Sequence, residues 1–277
     1  MFRPSDIIIE AFVRRLRDDY DAIFGDGQPG HRETIVETAR MALPRIARSD
    51  ALFHDLDHTM LVTLVGQDIL RGRMARDGDV SAGDWVHFVA SLLCFAVGFV
   101  RNVCPGDDGD DCVIDEGGAR LVLPRGATDA RLWPHFTDRG KMFVRHYFHH
   151  HPLLDCEVMA ANIEYSRYPP PADFNLETES YPGLLRAAHL IGSIADPNFM
   201  LKIKPLVLEL EESGMTAQLG FANVEEFLIG YPNMFWTQLY PRVADGMELL
   251  KFTGEGRVWL ANLHAHLLSQ EHRAELG

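Results

Sequence analysis

The sequence predicts an all-α protein. Apolar residues recur every three to four positions along most of the 277 residues, which is the period of an amphipathic helix. With 47% hydrophobic residues the chain can bury a sizeable core, and its length fits one large domain. We expect a single domain with N-terminal helices in residues 1–50, a core in residues 51–200 and C-terminal helices in residues 201–277.

Local patterns support helices along the whole chain. An apolar helix face follows a cap signal at Ser5 and Asp6. The run from Trp85 to Val100 is nearly all apolar, which predicts a helix buried on most sides. Further helical periods lie at residues 137–149, 153–166, 181–195, 198–213, 223–250 and 255–270.

One long segment, residues 104–134, has no helical period. Within it the stretch CVIDEGGARLVL predicts a small β-hairpin that turns at Gly117 and Gly118. Loops of this length act as lids over functional sites or are surface elaborations without a role, and the sequence leaves both open. A second loop, residues 169–180, is predicted to be a connector between helices.

Charge and cysteine usage limit the partners and the compartment. The net charge of −14, from 40 acidic and 26 basic residues, disfavours nucleic acid. We find no signal peptide and no apolar span of 18 residues, and therefore expect a cytoplasmic protein without a membrane partner. The four cysteines form no C-x-x-C pair, which predicts reduced thiols.

The stretch LFHDLDHTMLV, residues 52–62, is the strongest candidate for a functional site. His54 and His58 are four residues apart at the mouth of a helix, so both rings lie near one face. Such a pair could hold a divalent metal or a phosphate. A histidine-rich surface cap would give the same pattern.

This stretch resembles the opening motif of the HD-domain superfamily of metal-dependent phosphohydrolases, in which an aromatic-His-Asn-x-x-His run begins a core helix. FHHHPLLD, residues 148–155, resembles the middle histidine region of that superfamily, and LIGSIADPNF, residues 190–199, resembles its closing aspartate. Residues 50–270 as a whole are similar to a bacterial group of HD-domain phosphohydrolases. The resemblance implies an HD-domain-like helical bundle with an insertion at 104–134, in which the helices near His58, Trp85 and Asp196 pack together.

The resemblance also implies roles for particular residues. His58 matches the first metal ligand and Asp196 the last, while His54 matches the catalytic histidine that donates a proton to the leaving oxygen. His150 or His151 matches the additional histidine of two-metal members. A His58 ring beside the Asp196 carboxylate would have a pKa above its ordinary value unless burial dominates.

The central His-Asp doublet that gives the superfamily its name is replaced by Phe95 and Ala96. With these two ligands lost, the site is expected to bind Mn, Fe, Ni or Mg weakly or not at all. Other residues could complete it. The candidates are Asp57, His150, His151 and His189, of which His189 lies two helical turns before Asp196.

Two functions remain open. The first is a degenerate HD-domain pseudoenzyme that binds a small anionic or amphipathic ligand, a protein partner or a second copy of itself. In this case Phe95 would line an apolar wall, and His189, Arg101 and Lys141 would contact the ligand, unless Arg101 pairs with Asp107 or Asp108. The second is an active phosphohydrolase with a rearranged ligand set, acting on a phosphomonoester or a nucleotide phosphodiester.

Overall fold

Helices make up most of the chain, so the all-α class is confirmed. The computed structural model describes residues 3–170 and 177–276. Its helices are α1 Pro4–Phe24, α2 Pro29–Ile46, α3 Leu56–Asp77, α4 Ala82–Cys94, α5 Phe136–Phe148, α6 Cys156–Glu164, α7 Tyr181–Ala195, α8 Phe199–Ser213, α9 Met215–Gln218, α10 Val224–Met234, α11 Tyr240–Leu250 and α12 Gly254–Leu276. The strands are β1 Asp111–Val113 and β2 Arg120–Val122. Residues 171–176, half of the connecting loop predicted at 169–180, lie outside the described residues.

Among the differences from the predicted helices, three concern where a helix begins or whether it continues. Helix α1 begins at Pro4 with Arg3 as its N-cap, because proline lacks the amide proton that a first-turn residue leaves unbonded. The apolar run expected as one helix ends as α-helix at Cys94 and continues as a 3₁₀ segment, Phe95–Phe99. The predicted 223–250 helix is divided into α10 and α11 by a π-helical turn at Phe235–Leu239.

The helices expected to surround the site pack together. Helix α3 contacts both α4 and α7, and α11 covers α3 and α7 from outside. Gly192 of α7 allows the closest approach, because a Cβ atom there would lie 3.0 Å from the Cα of Val62 in α3. One buried apolar cluster includes residues from Ile9 to Leu267, and it sets α3 and α7 side by side.

The expectation that no apolar span reaches 18 residues was wrong. Among the described helices, Ala82–Phe99 has the length and a mean hydropathy, 1.5, that would suffice to cross a membrane. In the structure 83% of this stretch is buried inside the protein. Core helices have the same composition, so the stretch is weak evidence for a membrane span.

The predicted hairpin is confirmed within residues 104–134. Strands β1 and β2 pair antiparallel with Cys112 opposite Leu121, and Gly118 supplies the positive φ of the turn at 81°. Cys112 packs with Leu123 and Leu132 in a small apolar cluster of its own. All four cysteines are free and buried, as expected.

Arg139 of α5 fastens this insertion to the core. Its side chain has no exposed surface and forms a two-pronged ion pair with Asp107, at 2.9 and 3.0 Å. The same guanidinium donates to the carbonyl oxygens of Gly98, Val100 and Val113. Burial raises the pKa of the Asp107 carboxyl, but the bonded Arg139 outweighs burial and brings that pKa below its ordinary value.

Replacing Arg139 should therefore destabilise the fold. We expect Arg139→Met to lower the free energy of unfolding by about 3–5 kcal/mol, because the buried Asp107 charge would lose its counter-ion and keep only backbone amide donors. Urea denaturation at neutral pH measures this difference. Arg120→Met is the matched control on the same hairpin: Arg120 is exposed and paired with Asp111, and its loss should cost less than about 1 kcal/mol. Equal costs for the two variants would contradict a structural role for Arg139.

Candidate metal centre

The start of helix α3 positions two histidines. Asp55 is the N-cap, and its carboxylate accepts a hydrogen bond from the His58 backbone amide at 2.8 Å. His58 thus lies in the first turn of the helix, and His54 lies just before the cap. Both side chains are buried, with 3% and 2% of their surface exposed.

Helix α7 brings a third histidine to the same place. The ring centroid of His189 lies 5.6 Å from that of His58 and 6.3 Å from that of His54. The His54 and His58 centroids are 5.0 Å apart. Each ring offers one nitrogen such that the three atoms lie within 4.8 Å of one another. We call these residues the three-histidine cluster.

Glu209 of α8 fixes the orientation of His54. Its Oε2 lies 2.6 Å from His54 Nδ1, and its Oε1 accepts the backbone amides of Phe53 and His54. Burial raises the pKa of this carboxyl, but the His54 ring and the backbone donors outweigh burial and bring the pKa below its ordinary value. The carboxylate therefore holds the proton on Nδ1, which leaves Nε2 as the His54 nitrogen that can bind a metal.

The other two rings are neutral and have nitrogens without partners. Burial, followed by the charge of His54, lowers the pKa of His58 well below its ordinary value and that of His189 to about 3. Within the described residues, His58 Nε2 and His189 Nδ1 are buried and form no hydrogen bond. Each such atom costs about 1–3 kcal/mol unless something binds it.

These features fit a divalent metal ion. Metals bind neutral imidazole, and a ligating histidine usually donates its other N–H to a carboxylate, as His54 does to Glu209. In a tetrahedral site with bonds of about 2.05 Å the ligand nitrogens would be about 3.3 Å apart. The three rings, with nitrogens now within 4.8 Å, would have to close by up to about 1.5 Å.

An aromatic shell surrounds the cluster. Phe99 stacks on His54 with centroids 4.2 Å apart, and Trp133 meets the same ring edge-on at 4.3 Å. Phe95, at the position of the missing doublet, lies 4.9 Å from His189 and 6.5 Å from His58. A phenyl ring thus stands beside the cluster and adds no ligand to it.

A mostly apolar cavity of about 70 Å³ adjoins the cluster. His54 and His189 form part of its wall, and the remaining lining comes mainly from α7, α8 and α10. That lining comprises Phe53, Trp133, Tyr168, Leu190, Ser193, Ile194, Leu206, Leu210, Leu219, Phe227, Tyr231, Met234 and Leu239. The cavity is smaller than the roughly 300–1,000 Å³ of most ligand pockets, so it suits a short apolar group beside the buried ring nitrogens.

Asp196 does not join His58 in an ion pair. Its carboxylate pairs instead with Lys202 at 3.1 Å and accepts the Asn198 amide at 2.7 Å. Both Asp196 and Lys202 line a separate groove that also includes Asp57. The expected rise in the His58 pKa is therefore corrected: burial dominates and lowers it.

The remaining candidate residues lie elsewhere. Arg101 is held by Asp129 at 2.6 Å and Asp110 at 2.8 Å, with Asp50 at 3.3 Å. These partners differ from Asp107 and Asp108, the two that the sequence suggested. Lys141 pairs with Asp138 and Glu164. Neither basic residue lines the cavity.

The histidines after α5 are also separate from the cluster. Helix α5 ends at Phe148, and the chain then turns, leaving His150 exposed. His151 Nδ1 accepts the amides of Leu153 and Leu154 at 3.2 and 3.1 Å. A local turn therefore uses one ring nitrogen of His151, a histidine that the resemblance offered as a metal ligand.

Sequence reasoning missed Glu209, Arg139 and Arg186. The sequence does contain a signal for Arg186, because it is the only Lys, Arg, Asp or Glu in the otherwise largely apolar helix YPGLLRAAHLIGSIA. Glu209 lies between Leu208 and Leu210 on a helix with apolar residues on most sides, which is a weaker sign of a buried carboxylate.

The comparisons with known proteins give one match. A family model described as Npun_R2479-like matches residues 2–273, nearly the whole chain. No curated protein and no solved structure matches it.

Acid should destabilise the metal-free protein through His189. Its pKa falls from the ordinary 6.5 to about 3, so below pH 6.5 the unfolded chain binds a proton that the folded protein does not. Stability that is fully present above pH 6.5 is therefore lost as the pH falls towards 3. From pH 7 to pH 5, we expect this residue alone to remove about 2 kcal/mol.

Urea denaturation in chelator at the two pH values measures the loss. His189→Gln should flatten the pH dependence, whereas His150→Gln, at an exposed histidine, should leave it unchanged. An identical pH dependence in His189→Gln and the unmodified protein would contradict the buried neutral ring.

Proposed function

The chain belongs to the Npun_R2479-like family, and we propose that it is a metal-binding pocket protein in which His54, His58 and His189 hold a divalent ion beside a small-ligand cavity. One observation carries the proposal: the three buried rings present nitrogens within 4.8 Å of one another. The buried Glu209 carboxylate that orients His54 supports it. A purely structural cluster would have no use for the two ring nitrogens without partners.

The ligand set favours particular metals. Three imidazoles suit zinc, iron or nickel, whereas magnesium and manganese prefer oxygen ligands. Of the metals expected from the resemblance, iron and nickel therefore fit better than manganese or magnesium. An ion held this way supplies a Lewis acid and lowers the pKa of a bound water.

The charges around the cluster favour an anionic ligand. A divalent ion on three neutral imidazoles carries two positive charges, and Glu209 offsets one of them. The remaining charge would lie among Phe95, Phe99 and Trp133, where an unpaired charge is costly. An anionic group on the ligand would neutralise it, while the apolar cavity wall suits an apolar ligand body.

This proposal includes an HD-domain origin for the fold. Its support is that His58, at the position of the first ligand, and Phe95, at the position of the doublet, both lie at one cluster. On this view His189 and His54 take the place of the lost doublet as metal ligands, and Asp196 pairs with Lys202 instead of binding the metal. The protein would act in the cytoplasm, where its four free cysteines would stay reduced.

Metal-dependent phosphohydrolysis is the second candidate. Three protein ligands leave a coordination position for water, the arrangement of catalytic rather than structural zinc sites. Against it, no lysine or arginine lines the cavity within the described part of the chain. Turnover of a phosphomonoester or nucleotide panel that is lost in His58→Ala would establish this activity.

Metal binding is the decisive test of the main proposal. We expect protein purified without chelator to contain about one metal ion per chain and to gain thermal stability with micromolar zinc, iron(II) or nickel, because an ion that binds only the folded state stabilises it. Metal analysis and thermal denaturation measure both quantities.

Two variants serve as test and control. His189→Ala should lose the stabilisation by metal, whereas His150→Ala should keep it, since His150 is exposed and outside the cluster. If the unmodified protein shows no metal response, the proposal is wrong. An effect of His150→Ala alone would instead favour the ligand set implied by the resemblance.

A further inference from the structure

Helix α7 carries a buried arginine one turn before His189. Arg186 has 3% of its surface exposed. Its Nε and both terminal nitrogens form no hydrogen bond to any residue in 3–170 or 177–276. The guanidinium carbon lies 5.3 Å from the centroid of the Tyr165 ring, so an aromatic face lies within cation–π range of its charge.

In the part of the chain that the structure describes, this arginine has no counter-ion. Burial, followed by the nearby charge of Arg242, lowers the pKa of Arg186, but a guanidinium remains protonated in proteins. Arg139 is a buried arginine of the opposite kind: its nitrogens bond to Asp107 and to three backbone carbonyls. The five N–H groups of Arg186 therefore form a preformed donor set for an anion.

The position of Arg186 connects it to the cavity. His189, Leu190 and Ser193 line the cavity, and they lie three, four and seven residues after Arg186, on the same face of the helix. Three residues correspond to about 4.5 Å along the helix axis. Arg186 does not itself line the cavity, but it lies one turn before the first α7 residue of the cavity wall, His189.

A second positive charge lies nearby on the outside. Arg242 lines an outer groove that shares Tyr168, Leu219 and Leu239 with the cavity. These three side chains separate the cavity from the groove. In a chain of net charge −14, two neighbouring arginines make this wall a local region favourable to anions.

We propose that Arg186 binds the oxyanion end of a small amphipathic ligand whose apolar part occupies the cavity. The oxyanion is a carboxylate or a phosphate monoester, since both accept paired hydrogen bonds from a guanidinium. The inference rests on the proposed function because it uses the same cavity. The oxyanion site itself, however, needs no metal. Its test can therefore be run without metal.

Calorimetric titration with three six-carbon probes tests the oxyanion site. Hexanoate and hexyl phosphate present the two oxyanions, and hexan-1-ol presents the same chain without charge. All titrations contain EDTA at constant ionic strength, so a missing metal site cannot cause their failure. We expect hexanoate, hexyl phosphate or both to bind with a Kd of about 1 mM or tighter, and hexan-1-ol to bind more weakly. The stronger of the two anions identifies the headgroup.

Substitutions then assign the site to Arg186. Arg186→Met should weaken anion binding about 10- to 100-fold, the range for losing hydrogen bonds to a charged group, and leave hexan-1-ol affinity within about twofold. Arg186→Lys should recover part of the loss. Arg40→Met, at an exposed arginine paired with Glu10, should change neither affinity.

Thermal stability without ligand gives an independent readout. Removing an unpaired buried charge should leave the Tm of Arg186→Met equal to or above that of the unmodified protein. A marked fall in Tm with unchanged anion affinity would show that Arg186 is structural and overturn the proposal. Failure of both anions to bind the unmodified protein at millimolar concentration would also overturn it. Metal binding by Arg186→Met should persist in either case.

Discussion

The contact between Glu209 and His54 is the interaction on which the site depends. The carboxylate comes from α8, is 1% exposed, and holds both the His54 ring and the backbone that leads into α3. Burying an ionised carboxylate is costly unless donors surround it. Here three donors do so, and the result is a fixed ring orientation and a fixed entry into the helix that carries His58.

The buried polar groups of this protein are of two kinds: some are fully hydrogen-bonded, and others have nitrogens without partners in the described residues. Asp107 and Arg139 pair with each other and with nearby backbone groups, and they fasten an insertion to the core. The three-histidine cluster and Arg186 retain buried polar nitrogens without partners in the described residues. Folding alone does not explain such groups, because each lowers stability. Arg186 and His189 share one face of α7, and His58 meets His189 from α3. Their position beside one cavity is the pattern expected of a binding site.

Local patterns predicted the secondary structure well. The predicted helix at 181–195 coincides with Tyr181–Ala195, since an apolar period and a serine cap both act within a few residues. The hairpin was found for the same reason, because its Gly-Gly turn is a local signal. The 3₁₀ segment after Cys94 was missed. Gly98 there lies against the backbone of α5, where a Cβ would be 1.8 Å from the Phe136 carbonyl oxygen, and that contact is not encoded locally.

The site was only partly predictable. His54, His58 and His189 were all named from the sequence, but periodicity could not tell whether His189 of α7 or Asp196, at the C-cap of that helix, faces His58. In the structure Asp196 pairs with Lys202 at 3.1 Å, and His189 is the residue that lies beside His58. Glu209 is 155 residues from His54, and no short-range pattern joins such a pair. Long-range polar contacts of this kind arise from packing, which a single sequence does not display.

X-ray absorption spectroscopy of the metal-loaded protein tests the central claim most directly. The account predicts a first shell that contains three imidazole nitrogens at about 2.0–2.1 Å for zinc, with the multiple scattering that imidazole rings produce. Loss of one imidazole in His189→Ala would assign the shell to the cluster. A shell of sulfur atoms, or of oxygen atoms with at most one imidazole, would contradict the three-histidine centre.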